Sequence, residues 1–316
     1  MKTKAMLRFY LLCLALFLSI HAFGQAQKNT AEKLGFPADT KLLIIHADDM
    51  GLSHSTNQAV IKAFESKAIT SGSVMVPCPW FPEIAEYVKT HPGLDVGIHF
   101  TLNAEWKYYK WNGVMSDNQI PGLIAKNGYF YPAIEPLIFA AKPDEVEKEL
   151  RAQIDRAIAF GIKPTHLDSH MGSMFVTPAL FRTALNVGRE YQLPVFFPMN
   201  EIKKIVPALI KEVEPGMIVV DNFLMLPGEA VNGDWHAMYR NFIAALIPGL
   251  NEIVVHLSYD NEEMKAIAVG HEDYGSSWRE KDLNVILGKA FQDLLRENNV
   301  QLVTWKQIQD IMYPPL

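Results

Sequence analysis

The stretch Lys41–Gly51, KLLIIHADDMG, decides how the chain is read. Residues 41–46 are almost continuously apolar, the pattern of a short strand buried on both faces of a parallel sheet. The run then stops in His46, Asp48, Asp49 and Gly51. Two adjacent carboxylates at the end of an apolar strand have two readings. One is a turn, because Asp and Gly favour turns. The other is chemistry, because strand ends are where a barrel carries its functional groups.

Working outward from this stretch, the same alternation repeats. Segments 55–66, 82–90, 143–160, 179–191, 201–213, 235–246 and 281–298 read as helices. Segments 71–76, 95–102, 165–167, 194–197, 217–220, 252–257 and 301–305 read as strands. The clearest helix is 143–160, where Val146, Leu150, Ile154 and Ala157 or Ile158 form one stripe that Gly161 stops. About eight strands alternating with helices predict an α/β fold, a (β/α) barrel of TIM type that is allowed to be irregular. One such domain is expected over residues 41–316, with an insertion at about 103–134 after the third strand.

Composition sets further limits. The 316 residues are 49% hydrophobic with a net charge of −6, which excludes a disordered chain and a nucleic-acid binder working by bulk charge. Residues 1–24 carry Lys2, Lys4 and Arg8, the apolar run Phe9–Ile20, then small residues at Ala22 and Gly24. That order predicts a secretory signal peptide, hence an exported protein, periplasmic or secreted, with no stable membrane anchor after cleavage. Its removal takes three basic residues and moves the charge to −9. Residues 25–40 read as a flexible connector. Two cysteines make no disulfide framework, and Cys78 reads as a buried thiol. Oligomeric state has no signature in the sequence.

Chemistry-bearing residues fall at the ends of separate strands. Asp48 and Asp49 end the first, and His99 lies in Val96–Phe100. Alternation puts His166, Asp168 and His170 on one face of another, and His256 lies in a late strand. Singly, each reads as readily as a satisfied core residue; together they converge on one rim. One carboxylate with two imidazoles could hold a divalent metal, and a second carboxylate could accept a proton from its water. Mixed N and O donors favour Zn²⁺, with Mg²⁺, Mn²⁺ or Fe²⁺ as alternatives. GxGxxG after the first strand, GxxxxGK[ST], HExxH and GxSxG are all absent from the sequence.

Leu43–Asn57 (LIIHADDMGLSHSTN), Gly97–Leu102 (GIHFTL) and Pro164–His170 (PTHLDSH) resemble three motifs of the YdjC-like carbohydrate deacetylases, relatives of the polysaccharide deacetylases. His256 and Asp260 are similar to a late motif, and the likeness spans about residues 41–312. The resemblance implies an irregular (β/α) barrel that removes an N-acetyl group from an amino sugar or oligosaccharide. It implies one divalent metal held by Asp49, His99 and His170, with Asp48 as general base. His256 would be the general acid or stabilise charge at the leaving amine. Met171–Met174 stands where some members carry further histidines, and Met50 where Phe is commoner, so sugar specificity does not transfer. The aromatics Trp106, Tyr108, Tyr109 and Trp111 of the insertion, with Arg279, are the expected carbohydrate contacts. Alternative functions are a metal-dependent O-acetyl esterase or other amidohydrolase on the same barrel, and a non-catalytic glycan-binding protein.

Overall fold

A computed structural model describes residues 28–314. The expected signal peptide lies outside the described residues, and so do residues 25–27 of the expected connector. After a short helix α1 (Thr30–Lys33), the stretch that opened the reading becomes β1 (Lys41–Met50). The chain continues through α2 (His54–Glu65), β2 (Ser71–Val74), α3 (Phe81–Thr90), β3 (Val96–Phe100) and α4 (Glu135–Ala140). Then come α5 (Pro143–Ala159), β4 (Leu167–Ser169), α6 (Pro178–Tyr191) and α7 (Met199–Ile205). The remainder is β5 (Asn222–Met225), α8 (Trp235–Ala244), β6 (Gly249–Val255), α9 (Glu262–Ile267), α10 (Ser276–Leu287), α11 (Lys289–Glu297), β7 (Gln301–Leu302) and α12 (Trp305–Met312).

The sheet is parallel, in the order β4-β3-β2-β1-β6-β5, with β7 also against β1. β1 is its axis, pairing with β6 from Lys41↔Gly249 to Ala47↔Val255. Isolated parallel bridges, Leu167↔Val195 and Pro198↔Val220, carry hydrogen bonding from β4 round toward β5. The result is an irregular (β/α) barrel, and its irregular side is where the sequence reading drifts. The segment 194–197, expected as a strand, makes single bridges only. The strand expected at 217–220 forms instead at 222–225. The helix expected over 201–213 breaks at Pro207, which has no N–H to continue it. The helix expected over 281–298 starts earlier and divides at Gly288.

Alternation along β1 explains its unbroken hydrophobicity. Leu42 and Ile44 pack inside the barrel with Phe196, Val220, Leu250 and Trp305. Leu43, Ile45 and Ala47 pack outward in the larger core under the helices. His46 and Asp48 therefore continue the inner face. The insertion is anchored by helix α5, whose polar residues Glu145, Glu149 and Gln153 are buried. Glu149 accepts from the N–H groups of Val114 and Met115, and Glu145 from that of Gly122. The apolar stripe of α5 thus faces the core while its polar flank fastens the loop that overhangs the barrel mouth. Among the described residues, no helix is long and apolar enough to cross a membrane.

Candidate active site

Consecutive residues of a regular strand point to opposite faces, so Asp48 and Asp49 should diverge. They do not, because β1 ends in an irregularity between Ala47 and Met50. Asp49 takes a left-handed backbone (φ 58°) and Gly51 follows at φ 92°. Such bulges re-aim side chains, and Asp is among the few residues that tolerate the conformation. Both carboxylates consequently enter the barrel mouth. On the far side His170 directly follows β4, and Met171 and Gly172 turn the chain sharply away with positive φ.

Asp49 Oδ1 lies 3.4 Å from His99 Nε2 and 3.3 Å from His170 Nδ1. Asp49 Oδ1 and His99 Nε2 are buried without a hydrogen-bond partner. Donors about 2.1 Å from one tetrahedral ion lie about 3.4 Å apart, so the cluster has the spacing of a metal site. The other atoms of these side chains are tied down. His99 Nδ1 donates to Asp168 Oδ1 at 2.9 Å, and His170 Nε2 to Glu105 Oε2 at 2.9 Å. Each carboxylate fixes the tautomer that turns the opposite nitrogen's lone pair toward the cluster. Arg279 Nη2 donates to Asp49 Oδ2 at 2.7 Å, leaving Oδ1 as the free oxygen.

The field of this site follows from its charges. Burial alone would lower both imidazoles, but Asp168 holds His99 well above the ordinary range, and Glu105 with Asp49 pushes His170 up to about 9. Surplus negative charge that retains protons on two buried histidines would equally retain a cation. Burial would raise Asp49, but Arg279 and the two imidazoles overcome it and keep the carboxylate well below its usual range. Asp48 moves the other way: burial and then the Asp49 charge push it well up. Its Oδ2 lies 3.3 Å from His256 Nε2. Burial depresses His256 to about 3, so its imidazole is neutral near pH 7.

The expected carbohydrate contacts separate. Trp106 lines the cleft below the insertion. Trp111 is buried (3% exposed) beside His170, and the hydroxyl of Tyr109 is spent on Leu52 O at 2.7 Å. Tyr108 is 72% exposed and does not line the cleft. They do not form one exposed face, and Arg279, expected to meet substrate, is committed to Asp49. His166 is buried and stacks on Trp305. Asp260 accepts from Ser276 Oγ at 2.6 Å and so pins the start of α10. Sequence reasoning passed over Glu105. Its only signal is an acid in the loop that directly follows a histidine-bearing strand.

The fold and this Asp–His–His cluster define a (β/α)-barrel protein with a metal-type site at its mouth. The model of the YdjC-like protein family matches residues 42–297, and the chain belongs to that family. It is 29% identical over 291 residues to a carbohydrate deacetylase of Thermus thermophilus, covering 89% of this chain and 98% of that one. A carbohydrate deacetylase of Thermoanaerobacter pseudethanolicus is 26% identical, over 84% and 98% of the two chains. One from Brevibacillus brevis is 36% identical over 49% of this chain and 59% of its own length. Among solved structures, a candidate cellobiose-phosphate cleavage protein of Enterococcus faecalis has the same fold. Its TM-score is 0.71 at 22% identity, over 85% of this chain and 99% of that one.

Proposed function

We propose that the protein is a metal-dependent carbohydrate deacetylase that hydrolyses the N-acetyl amide of an amino sugar. The observation that carries this reading is the convergence of Asp49 Oδ1, His99 Nε2 and His170 Nδ1 beside Asp48, in a chain whose relatives are named carbohydrate deacetylases. Asp49, His99 and His170 would hold the divalent ion, with Zn²⁺ favoured by the mixed N and O donors. When bound, such an ion acidifies a water and polarises the acyl oxygen.

The protein's own groups divide the proton work. Asp48 Oδ1 is buried and unpartnered, and it receives the proton that the attacking water loses. His256 Nε2 sits against Asp48 Oδ2, placed to pass that proton to the leaving amine nitrogen. Its backbone N–H is held by Asp282 Oδ2 at 2.8 Å, which fixes the strand end carrying the ring. Glu105 and Asp168 orient the two imidazoles, and Arg279 orients Asp49. Trp106 borders the cleft but is buried, with the Arg279 guanidinium over its ring at 5.6 Å.

The test is acetate release from matched N-acetylated and O-acetylated sugars, with Zn²⁺, Mg²⁺ or Mn²⁺ added to stripped protein. Metal-restored release from the N-acetyl substrates is the expected result. Release from O-acetyl substrates alone replaces the amidase by an esterase, and binding without release leaves a glycan-binding protein. We further propose that the protein acts after export. Amino-terminal sequencing of protein recovered from its host, beginning near residue 25, is the expected result.

A further inference from the structure

The cleft into which the cluster opens is about 1170 Å³. Pockets that enclose a drug-sized ligand run to about 300–1,000 Å³, so a single N-acetylated sugar would leave much of this one unfilled. Its two sides differ in kind. One carries the carboxylates and imidazoles described above. The other is an apolar wall that includes Phe175, Phe196, Ile202, Ile205, Phe223 and Met225. Phe196 lies deep, in the inner barrel core, while Ile205 at the end of α7 is 73% exposed. Apolar residues therefore extend from near the reacting groups to the rim, with Glu252 beside Phe223 and Glu201 beside Ile202. Apolar surface continuous with a site marks a ligand surface.

Charge narrows what can lie there. Arg279 is the only lysine or arginine among the described residues of the lining, and it is tied to Asp49 and to Tyr274 O. Glu105, Glu201 and Asp273 line the same cleft, as does Glu252, whose carboxyl is pushed well up by burial toward the neutral form. A phosphate or carboxylate on the substrate would meet like charge from Glu105, Glu201 and Asp273, and the one guanidinium nitrogen left unpartnered, Arg279 Nη1, is buried.

We propose that the substrate carries an uncharged apolar aglycone, and that this wall is its binding site. The amino sugar would sit at Asp48, and the aglycone would run along Phe223 and Ile202 toward Ile205. The sugar half of this inference rests on the deacetylase reading; the apolar half rests on the wall alone.

Calorimetry on the metal-loaded full chain separates the two. The probes are the methyl and hexyl glycosides of N-acetylglucosamine, with the hexyl compound below its micelle concentration. The hexyl glycoside is expected to bind about tenfold tighter or more, from the methylenes it buries. Ile205→Glu should cut that ratio to about threefold or less. It sits at an exposed rim position, where a charge does not threaten folding, and Phe223→Asp is the deeper second variant. N-acetylglucosamine 6-phosphate should bind more weakly than N-acetylglucosamine.

Equal affinity for the methyl and hexyl glycosides overturns the proposal, as does tighter binding of the phosphate. Concentration-dependent dimerisation that Ile205→Glu abolishes, with no hexyl preference, also overturns it and assigns the rim to a second copy. A hexyl preference with no acetate released from either glycoside leaves the wall's ligand standing and removes the deacetylase reading.

Discussion

Of three overlapping or adjacent groups of histidine and aspartate with the composition of a metal site among the described residues, two that share no member lie one above the other in this barrel. The upper group is Asp49, His99 and His170; the lower is His46, His166 and Asp168. Their hydrogen bonding separates them. In the lower group His46 Nδ1 meets Ser71 Oγ at 3.3 Å, and Nε2 meets Ser73 Oγ at 3.0 Å. Asp168 Oδ2 lies 2.9 Å from His46 Nε2 and accepts from Ser73 Oγ at 2.8 Å. Only His166 Nε2 is left over, on a ring sandwiched against Trp305. In the upper group the unpartnered atoms point at one another and open on the cleft. Residue type alone does not make a ligand; what matters is whether its lone pair has already been spent.

The largest effect that would sharpen this contrast belongs to Asp48, which touches both the upper group and His256. Asp48→Asn keeps the shape and removes the proposed base. Turnover should fall by about two to four orders of magnitude while bound metal, read by elemental analysis, stays near that of the parent. Acetate release close to the parent rate would take the base away from Asp48.

Next in size is Asp168, the member of the lower group that also holds His99 of the upper one. Asp168→Asn is expected to weaken metal affinity by roughly 10–100-fold, since it removes the acceptor that fixes the His99 tautomer. His166→Phe, in the same lower group, should leave metal affinity unchanged. If His166→Phe lost metal and His170→Ala did not, the assignment of the two groups would be reversed.

How much of this was legible beforehand depends on the distance over which each feature is encoded. β1 was legible because its apolar run is local, and the α5 stripe because it repeats over four turns. The barrel's irregular side was not, because the single bridges at Val195 and Val220 are made by partners far away in sequence. The convergence of Asp49, His99 and His170 followed from strand ends and from resemblance, and the geometry agrees with it. The partners of those residues were hidden. Glu105 reaches His170 only because the polar flank of α5 holds the insertion over the barrel. Arg279 comes from α10, 230 residues from the aspartate that it clamps.

Titration gives a smaller test of the upper group. His170 is raised to about 9 in the fold against an ordinary 6.5, and His99 is also raised. A raised folded value contributes stability that is fully present below about pH 6.5 and is lost as pH climbs through about 9. Metal-stripped protein should therefore lose melting temperature between pH 7 and 9.5, and His170→Asn should flatten that slope. Metal-loaded protein should show little slope, because ligation requires neutral imidazoles. His256, lowered to about 3, acts with the opposite sign, costing stability as pH falls from about 6.5 toward 3. A stripped protein whose melting temperature rose from pH 7 to 9.5 would contradict the charge balance described for the cluster.

The smallest effect concerns Gly97, which lies on the same face of β3 as His99, one pleat below it. A β-carbon built on Gly97 would lie 2.5–2.7 Å from the imidazole atoms of His166. That ring has nowhere to retreat, since it is stacked on Trp305 and its Nδ1 lies 2.9 Å from Thr165 Oγ1. The glycine thus makes room for a lower histidine so that the strand can raise an upper one. Gly97→Ala should cost about 1–3 kcal/mol of stability, read as a lower melting temperature with bound metal largely kept. Adding His166→Ala should recover part of that loss, because the three nearest atoms all belong to that ring. An additive double mutant would show that Gly97 serves the backbone rather than the space beside it, and the lower group would then have no part in shaping the strand that carries His99.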